Sequence, residues 1–212
     1  MSDEIDGRTG PHAGQTQAAI AIVVLAAGAG SRFRAAGHKL SAELPATASE
    51  PAATVLERAL THALAADVGP VIVVTGAAPD AVPPHLRSLV HEQHNPRWSD
   101  GQMTSLRAGL ERAATLGASA VVVGLGDQPF IDPSAWRTMA AATGRLAVAT
   151  YDGTRGNPVR LDQSIWDLLP EDGDEGARAV MRVRPDLVSE VPCTGSPADI
   201  DTTEDLRRWQ SN

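Results

Sequence analysis

Three short, unbroken apolar runs set the fold class of this chain. Residues 20–25 (Ile-Ala-Ile-Val-Val-Leu), 71–74 (Val-Ile-Val-Val) and 120–123 (Ala-Val-Val-Val) are rich in β-branched side chains and show no polar alternation. A strand with one wet face alternates apolar and polar residues, so a continuous run of this length marks a strand covered on both faces. Helical patterns separate the runs. Residues 54–66 place Val55, Leu56, Ala59, Leu60, Ala63 and Leu64 near one stripe, and residues 105–116 do the same with Leu106, Leu110 and Ala113. Strands alternating with helices give an α/β architecture with a largely parallel sheet between two helical layers. Aromatics are only 3% of the chain, so its core must be built from Val, Leu, Ala and Ile.

The second half is less regular. Residues 146–150, 157–161 and 187–191 read as further strands, with Pro158 suited to an edge or a strand start. Residues 176–183 and 203–209 read as helices, and the Ala-, Pro- and Ser-rich stretch 42–51 as a loop. Residues 1–17 are polar with no apolar period and are expected to form a disordered lead, which leaves 18–212 as a single domain. A net charge of −8 argues against a general nucleic-acid binder. The one cysteine, Cys193, excludes an internal disulfide and fits a reducing cytoplasm. No apolar stretch approaches the roughly 20 residues of a membrane helix. No basic region precedes a hydrophobic segment near the N-terminus, so no signal peptide is expected.

The first run ends in Gly28-Ala29-Gly30-Ser31-Arg32, and the chain's only lysine, Lys39, follows among 17 arginines. A glycine turn after a strand lets backbone N–H groups converge on an anion, and an ammonium meets phosphate as a compact point charge. A plain tight turn explains the glycines equally well. Two sharper motifs fail: Phe33 stands where a dinucleotide fingerprint needs its third glycine, and His38-Lys39-Leu40 lacks the Ser or Thr of a P-loop.

The third run leads into Gly126-Asp127-Gln128-Pro129. In open α/β sheets ligands sit beyond the carboxyl ends of strands, and a carboxylate there suits Mg²⁺ shared with substrate phosphates. Asp132, before Pro133, is the natural helix cap, which leaves Asp127 for other work. Near the C-terminus, Asp199-Ile200-Asp201-Thr202 admits two readings: Asp201 or Thr202 caps the last helix with Glu204 or Asp205, or one aspartate is a second metal ligand. An extended segment puts Asp199 and Asp201 on one side. The histidines show no metal-binding spacing. Trp98, Trp136, Trp166 and Trp209 are read as packing residues by default, with Trp98 the one candidate for stacking on a base.

Taken together, these segments resemble the molybdenum-cofactor nucleotidyltransferases, the cytidylyltransferase branch above all. Residues 25–32 with Lys39 look like the opening signature. Asn95-Pro96-Arg97-Trp98 with Gly101, Ser105 and Gly109 looks like the central one, and Gly126-Asp127-Gln128-Pro129 like the metal-binding strand end. Gly156-Asn157-Pro158, Asp174 to Arg178 and Asp199-Ile200-Asp201-Thr202 follow in order. The resemblance implies a three-layer α/β fold with a mostly parallel mixed sheet, the Rossmann-like nucleotidyltransferase fold. It implies an Mg²⁺-dependent enzyme that moves a nucleotide monophosphate onto a phosphorylated acceptor and releases pyrophosphate. Arg32 and Lys39 would act on the triphosphate. Leu25, Ala26, Ala27, Gly28, Gly30, Ser31, Gly101 and Ser105 would bind the nucleotide, and Asp127 and Asp201 the metal. Gly156, Asn157, Pro158, Asp174 and Arg178 would face the acceptor. Ala26-Ala27-Gly28 leans toward CTP, the acceptor is expected to be molybdopterin-like, and a molybdenum hydroxylase is the implied partner. The chain departs from the pattern in spacing Arg32 and Lys39 seven apart instead of the usual five. Other phospho-acceptors (a sugar, an alcohol, phospholactate), an NAD(P)H-dependent reductase, or a cofactor-binding protein without catalysis are the alternatives.

Overall fold

The computed structural model describes residues 19–31, 33, 37–48 and 50–210. Arg32 and the expected 1–17 lead lie outside these. The strands are β1 (Ile20–Ala26), β2 (Glu43–Leu44), β3 (Ala53–Thr54), β4 (Val71–Thr75), β5 (His91–His94), β6 (Ala120–Leu125), β7 (Leu146–Tyr151), β8 (Thr154–Asp162) and β9 (Val188–Pro192). The α-helices are α1 (Val55–Ala65), α2 (Gln102–Thr115), α3 (Pro133–Ala141), α4 (Arg178–Val183) and α5 (Thr203–Gln210). Seven strands form one sheet in the order β5-β4-β1-β6-β8-β7-β9, and β2 and β3 form a small hairpin. Only β8 runs antiparallel to its neighbours, so the sheet is mixed but mostly parallel.

The three apolar runs are β1, β4 and β6, adjacent at the centre of the sheet. In β1, Ile22, Val24 and Ala26 face one core with Leu56, Leu60, Trp136 and Met139, the layer of α1 and α3. Ala21, Val23 and Leu25 face the other with Leu106, Leu110 and Ala113 of α2 and Val180 of α4. Alternate residues thus feed opposite cores, the physical reason the run shows no polar face. Each such buried aliphatic side chain contributes about 1.5–3 kcal/mol. Gly109 lets α2 sit close on the sheet, because a Cβ there would come within 2.6 Å of Val23 Cγ1.

Three expectations shift. Pro158 is neither at an edge nor at a strand start, since β8 lies between β6 and β7. Pairing with β6 ends at Val123–Val159, and the register with β7 jumps from Val148–Val159 to Ala149–Gly156. Asn157 and Pro158 therefore fall in a bulge, where a missing N–H costs no ladder bond. The strand β5 was not anticipated: His-Glu-Gln-His carries no apolar signal, and its place is set by backbone pairing at the sheet edge. Part of the 42–51 loop is strand β2, and Glu50 in it binds Arg58 and, at 2.5 Å, His62.

Helix α3 begins as its sequence requires. Asp132 is the N-cap and accepts from Ser134 N at 2.7 Å, with Pro133 in the first turn. Hydrogen bonds from Ser134 hold the Asp132 carboxyl below the usual carboxylate range. A depressed pKa adds stability that is present above the unfolded value and lost as pH falls through the folded one. Asp132→Ala should therefore cost about 1 kcal/mol at neutral pH. Paired denaturant titrations should show that difference shrinking in acid; a difference that persists there would assign it to something other than the charged cap. No helix among the described residues is long and apolar enough to cross a membrane.

Candidate active site

Strands β1, β4 and β6 are parallel and neighbouring, so their carboxyl ends open on the same lip of the sheet. A cleft of about 980 Å³ lies there. It is lined by Leu25, Ala26, Ala27, Gly28, Gly30, Ser31 and Lys39 from the first signature, Gly101 just before α2, Ser105 in α2, and Asp127 and Asp201. Gly156, Asn157, Asp174 and Arg178 close the other end. Pro158 does not line it, being turned into the β8 bulge, and Arg32 is outside the described residues.

The centre of the lip is an ion cluster. Lys39 Nζ donates to Asp127 Oδ2 at 2.5 Å and to Asp201 Oδ1 at 2.9 Å. Burial works against the ammonium, but the two carboxylates outweigh it and raise the Lys39 pKa above the ordinary lysine value. Asp127 Oδ1 is buried and has no hydrogen-bond partner among the described residues. Asp199 also lines the cleft, and burial, then the charges of Asp201 and Asp127, push its pKa up.

Local structure explains how three aspartates reach one place. Thr202 caps α5: its Oγ1 accepts from Asp205 N at 3.1 Å, and Asp205 accepts from Thr202 N at 2.9 Å. The cap is Thr202 and its partner Asp205, so Asp201 turns to Lys39 instead. Ile200 between the aspartates is fully buried, and its N–H donates to Asp127 O at 2.9 Å. Asp199 and Asp201 thus share the cleft side, as an extended segment requires.

The glycine turn is pinned from outside. His38 Nε2 donates to Gly28 O at 2.9 Å while its Nδ1 accepts from Leu40 N, so His38 holds the turn and the Lys39 segment together. Gly101 precedes α2 with φ +111°, and a Cβ there would meet Gly173 O at 2.6 Å. Met103 N donates to the same carbonyl at 2.8 Å, which ties the segment carrying Asp174 and Arg178 to the start of α2. Ser105 is buried and accepts from Asn95 at 3.0 Å.

Sequence reasoning missed three contributors. Gln128 is buried, accepts from Asn157 Nδ2 at 2.9 Å and donates to Pro197 O at 2.8 Å, clamping the Gly156-Asn157 segment to the one that presents Asp199 and Asp201. Arg155 and Arg182 line the cleft and pair with Glu190 and Glu175. Nothing local distinguishes these two from any exposed arginine. Trp98 lines the cleft, whereas Trp136 is core and Trp209 stacks on Phe130 with ring centroids 3.7 Å apart.

Among the described residues no group of three or more His, Cys, Asp or Glu side chains is arranged to hold a metal. Two carboxylates, one with a buried oxygen that has no partner among the described residues, fit a hard cation such as Mg²⁺, which draws its remaining ligands from phosphates and water.

A family model described as the MobA-like NTP transferase domain matches residues 22–190. The chain is 29% identical over 205 residues to nicotine blue oxidoreductase of Paenarthrobacter nicotinovorans, covering 88% of this chain and 94% of that one. The crystal structure of Rv0371c from Mycobacterium tuberculosis superposes with a TM-score of 0.74 at 27% identity, covering 93% of this chain and all of that one. A second structure of that protein, a complex with manganese, gives 0.68 at 25% identity over 91% and 98% of the two chains. A nucleotidyl transferase from Methanothermobacter thermautotroptrophicus gives 0.75 at 25% identity, over 91% and 96%.

Proposed function

The chain belongs to the MobA-like NTP transferase domain family, a nucleotidyltransferase by that membership, and from there we propose that it moves CMP from CTP onto a phosphorylated acceptor of molybdopterin type, with Mg²⁺ as cofactor and a molybdenum hydroxylase as the downstream partner. The observation that carries this reading is the Lys39–Asp127–Asp201 cluster beside the glycine turn, with a carboxylate oxygen left over for a cation.

The reaction is a displacement at the α-phosphorus. An acceptor phosphate oxygen forms the new P–O bond, the bond to the β-phosphate breaks, and pyrophosphate leaves with its electrons. The chain's part is positioning and charge neutralisation. Backbone N–H groups of the turn at 27–31 receive phosphate oxygens, and Lys39 meets the charge that grows on pyrophosphate. Asp127 and Asp201 would hold Mg²⁺, which when bound supplies Lewis-acid polarisation of phosphate oxygens. Arg178, Arg155 and Arg182 take the acceptor's anionic group. No general base is needed, because a phosphate acceptor is already ionised near neutral pH. The Ala26-Ala27-Gly28 form of the turn favours a pyrimidine.

A second reading, NAD(P)H-dependent reduction in the same cleft, draws on the relative named an oxidoreductase. Thermal shift separates the two. CTP with Mg²⁺ at about a hundred times Kd should raise Tm by about 5–10 °C, above GTP, UTP and ATP, and the shift should fall away without metal. A larger shift with NADPH that needs no metal would replace the transferase reading with the reductase one.

A further inference from the structure

Lys39 stands where a cation shared by Asp127 and Asp201 would stand. Its ammonium bridges one oxygen of each carboxylate, at 2.5 and 2.9 Å, and its side chain is only 12% exposed. A divalent ion entering between these carboxylates takes both of the ammonium's partners. It also leaves that ammonium in a partly desolvated site beside a like charge. The cost falls away if other anions are at hand to receive the ammonium. The glycine turn adjoins Lys39 directly: a Cβ on Gly30 would sit 3.1 Å from Lys39 Cγ. Phosphates bound by that turn lie within the side chain's swing.

We infer that Lys39 is a resident stand-in for the metal, which yields its place only when a nucleotide's phosphates draw it aside, so that divalent cation and nucleoside triphosphate enter this cleft cooperatively. The inference rests on the nucleotidyltransferase reading for the identity of the anion, but not for the competition between ammonium and metal. By reciprocity, whatever factor the nucleotide adds to metal affinity the metal adds to nucleotide affinity. Asp127 and Asp201 each give Lys39 one carboxylate oxygen, and a 2+ ion meets that pair of carboxylates with twice the charge of the ammonium once Lys39 has somewhere to go.

The single lysine gives a direct readout. In protein labelled with ¹⁵N-lysine, Lys39 contributes the only side-chain Nζ resonance. Millimolar Mg²⁺ alone should leave that resonance near its ligand-free position, and Mg²⁺ with CTP should move it. Movement with Mg²⁺ alone to the same end point, or none with both, would overturn the inference.

Mn²⁺ binding, followed by the EPR signal of the free ion, supplies the second arm. The wild type should bind Mn²⁺ about tenfold or more tighter with saturating CTP than without it, once the Mn²⁺ that CTP chelates in a protein-free control is subtracted. Lys39→Gln should tighten binding of Mn²⁺ alone by about tenfold and shrink the effect of CTP. Arg184→Gln removes an equal charge from an exposed arginine that does not line the cleft and should change affinity for Mn²⁺ alone by no more than about threefold, because solvent screens it. Unchanged or weaker Mn²⁺ binding in Lys39→Gln would sink the proposal. So would an equal gain in Arg184→Gln, which would show a general field rather than occupancy. If no nucleotide binds at all, the nucleotidyltransferase reading fails, while the metal-alone comparison of wild type with Lys39→Gln still decides whether the ammonium holds the cation's place.

Discussion

Asp127→Asn should lower pyrophosphate release about a thousandfold while the protein still folds. The substitution keeps the shape of the side chain and removes its charge. Asp127 has two parts in the cluster. One carboxylate oxygen holds Lys39, and the other is buried with no partner among the described residues, which suits the proposed cation. Its backbone carbonyl also fixes Ile200 and with it the pair of aspartates at 199 and 201. That backbone bond survives the substitution, so the frame of the site should persist.

The stability cost is smaller than the catalytic one. Lys39 keeps Asp201 at 2.9 Å, and the asparagine carbonyl can still accept a hydrogen bond. A net loss of about 1 kcal/mol is expected, the usual worth of a hydrogen bond exchanged for a weaker one. Melting curves and single-turnover assays on the same preparation separate the two effects. Turnover within tenfold of wild type at saturating Mg²⁺ would mean that the cation is held elsewhere.

The parts of the fold readable in the sequence are those where burial leaves a periodic trace. β1, β4 and β6 are sealed on both faces, and α1 carries its own capping box from Thr54 to Glu57. β5 left no trace because an edge strand of four polar residues is placed by its neighbour's backbone, not by its own side chains. Pro158 misled because a proline's rule concerns its missing N–H, and whether a ladder bond is missing there depends on the register of β6 and β7. The site divides in the same way. Residues that the sequence groups in short motifs, the 25–31 turn and Asp127 among them, line one cleft. The Gln128 clamp and the Arg155 and Arg182 rim were not legible in the sequence, because Gln128 and Arg155 take their places from partners distant in the chain and Arg182 carries no motif of its own. The choice between Asp201 and Thr202 as the cap of α5 was left open by the sequence and is decided by the Thr202 hydroxyl, which accepts from Asp205 N.

The largest effect on stability should come from a loop that looked featureless. Glu50 lies in the 42–51 stretch, and its carboxylate binds the Arg58 guanidinium with one oxygen and His62 Nε2 with the other, the latter at 2.5 Å. Arg58 is 4% exposed, and its second nitrogen donates to Pro51 O at 2.6 Å. His62 Nδ1 donates to Ile131 O at 3.0 Å, so the tie reaches the loop that follows Asp127. Glu50→Ala removes the carboxylate that, among the described residues, pairs with the buried Arg58 guanidinium on α1. Breaking one side of such a pair costs about 3 kcal/mol, because the remaining charge is stranded away from water. For a domain of this size that lowers Tm by about 6–12 °C. The cause can be isolated. In Glu50→Ala/Arg58→Met the stranded charge is gone, and an apolar side chain of similar reach fills its place, so most of the lost stability should return. Thermal melts of wild type, single and double variants decide it. A double variant no more stable than Glu50→Ala would mean that the loss comes from the loop's contacts and not from an unpaired arginine, and a single variant that melts with wild type would mean that water reaches Arg58 once Glu50 is removed.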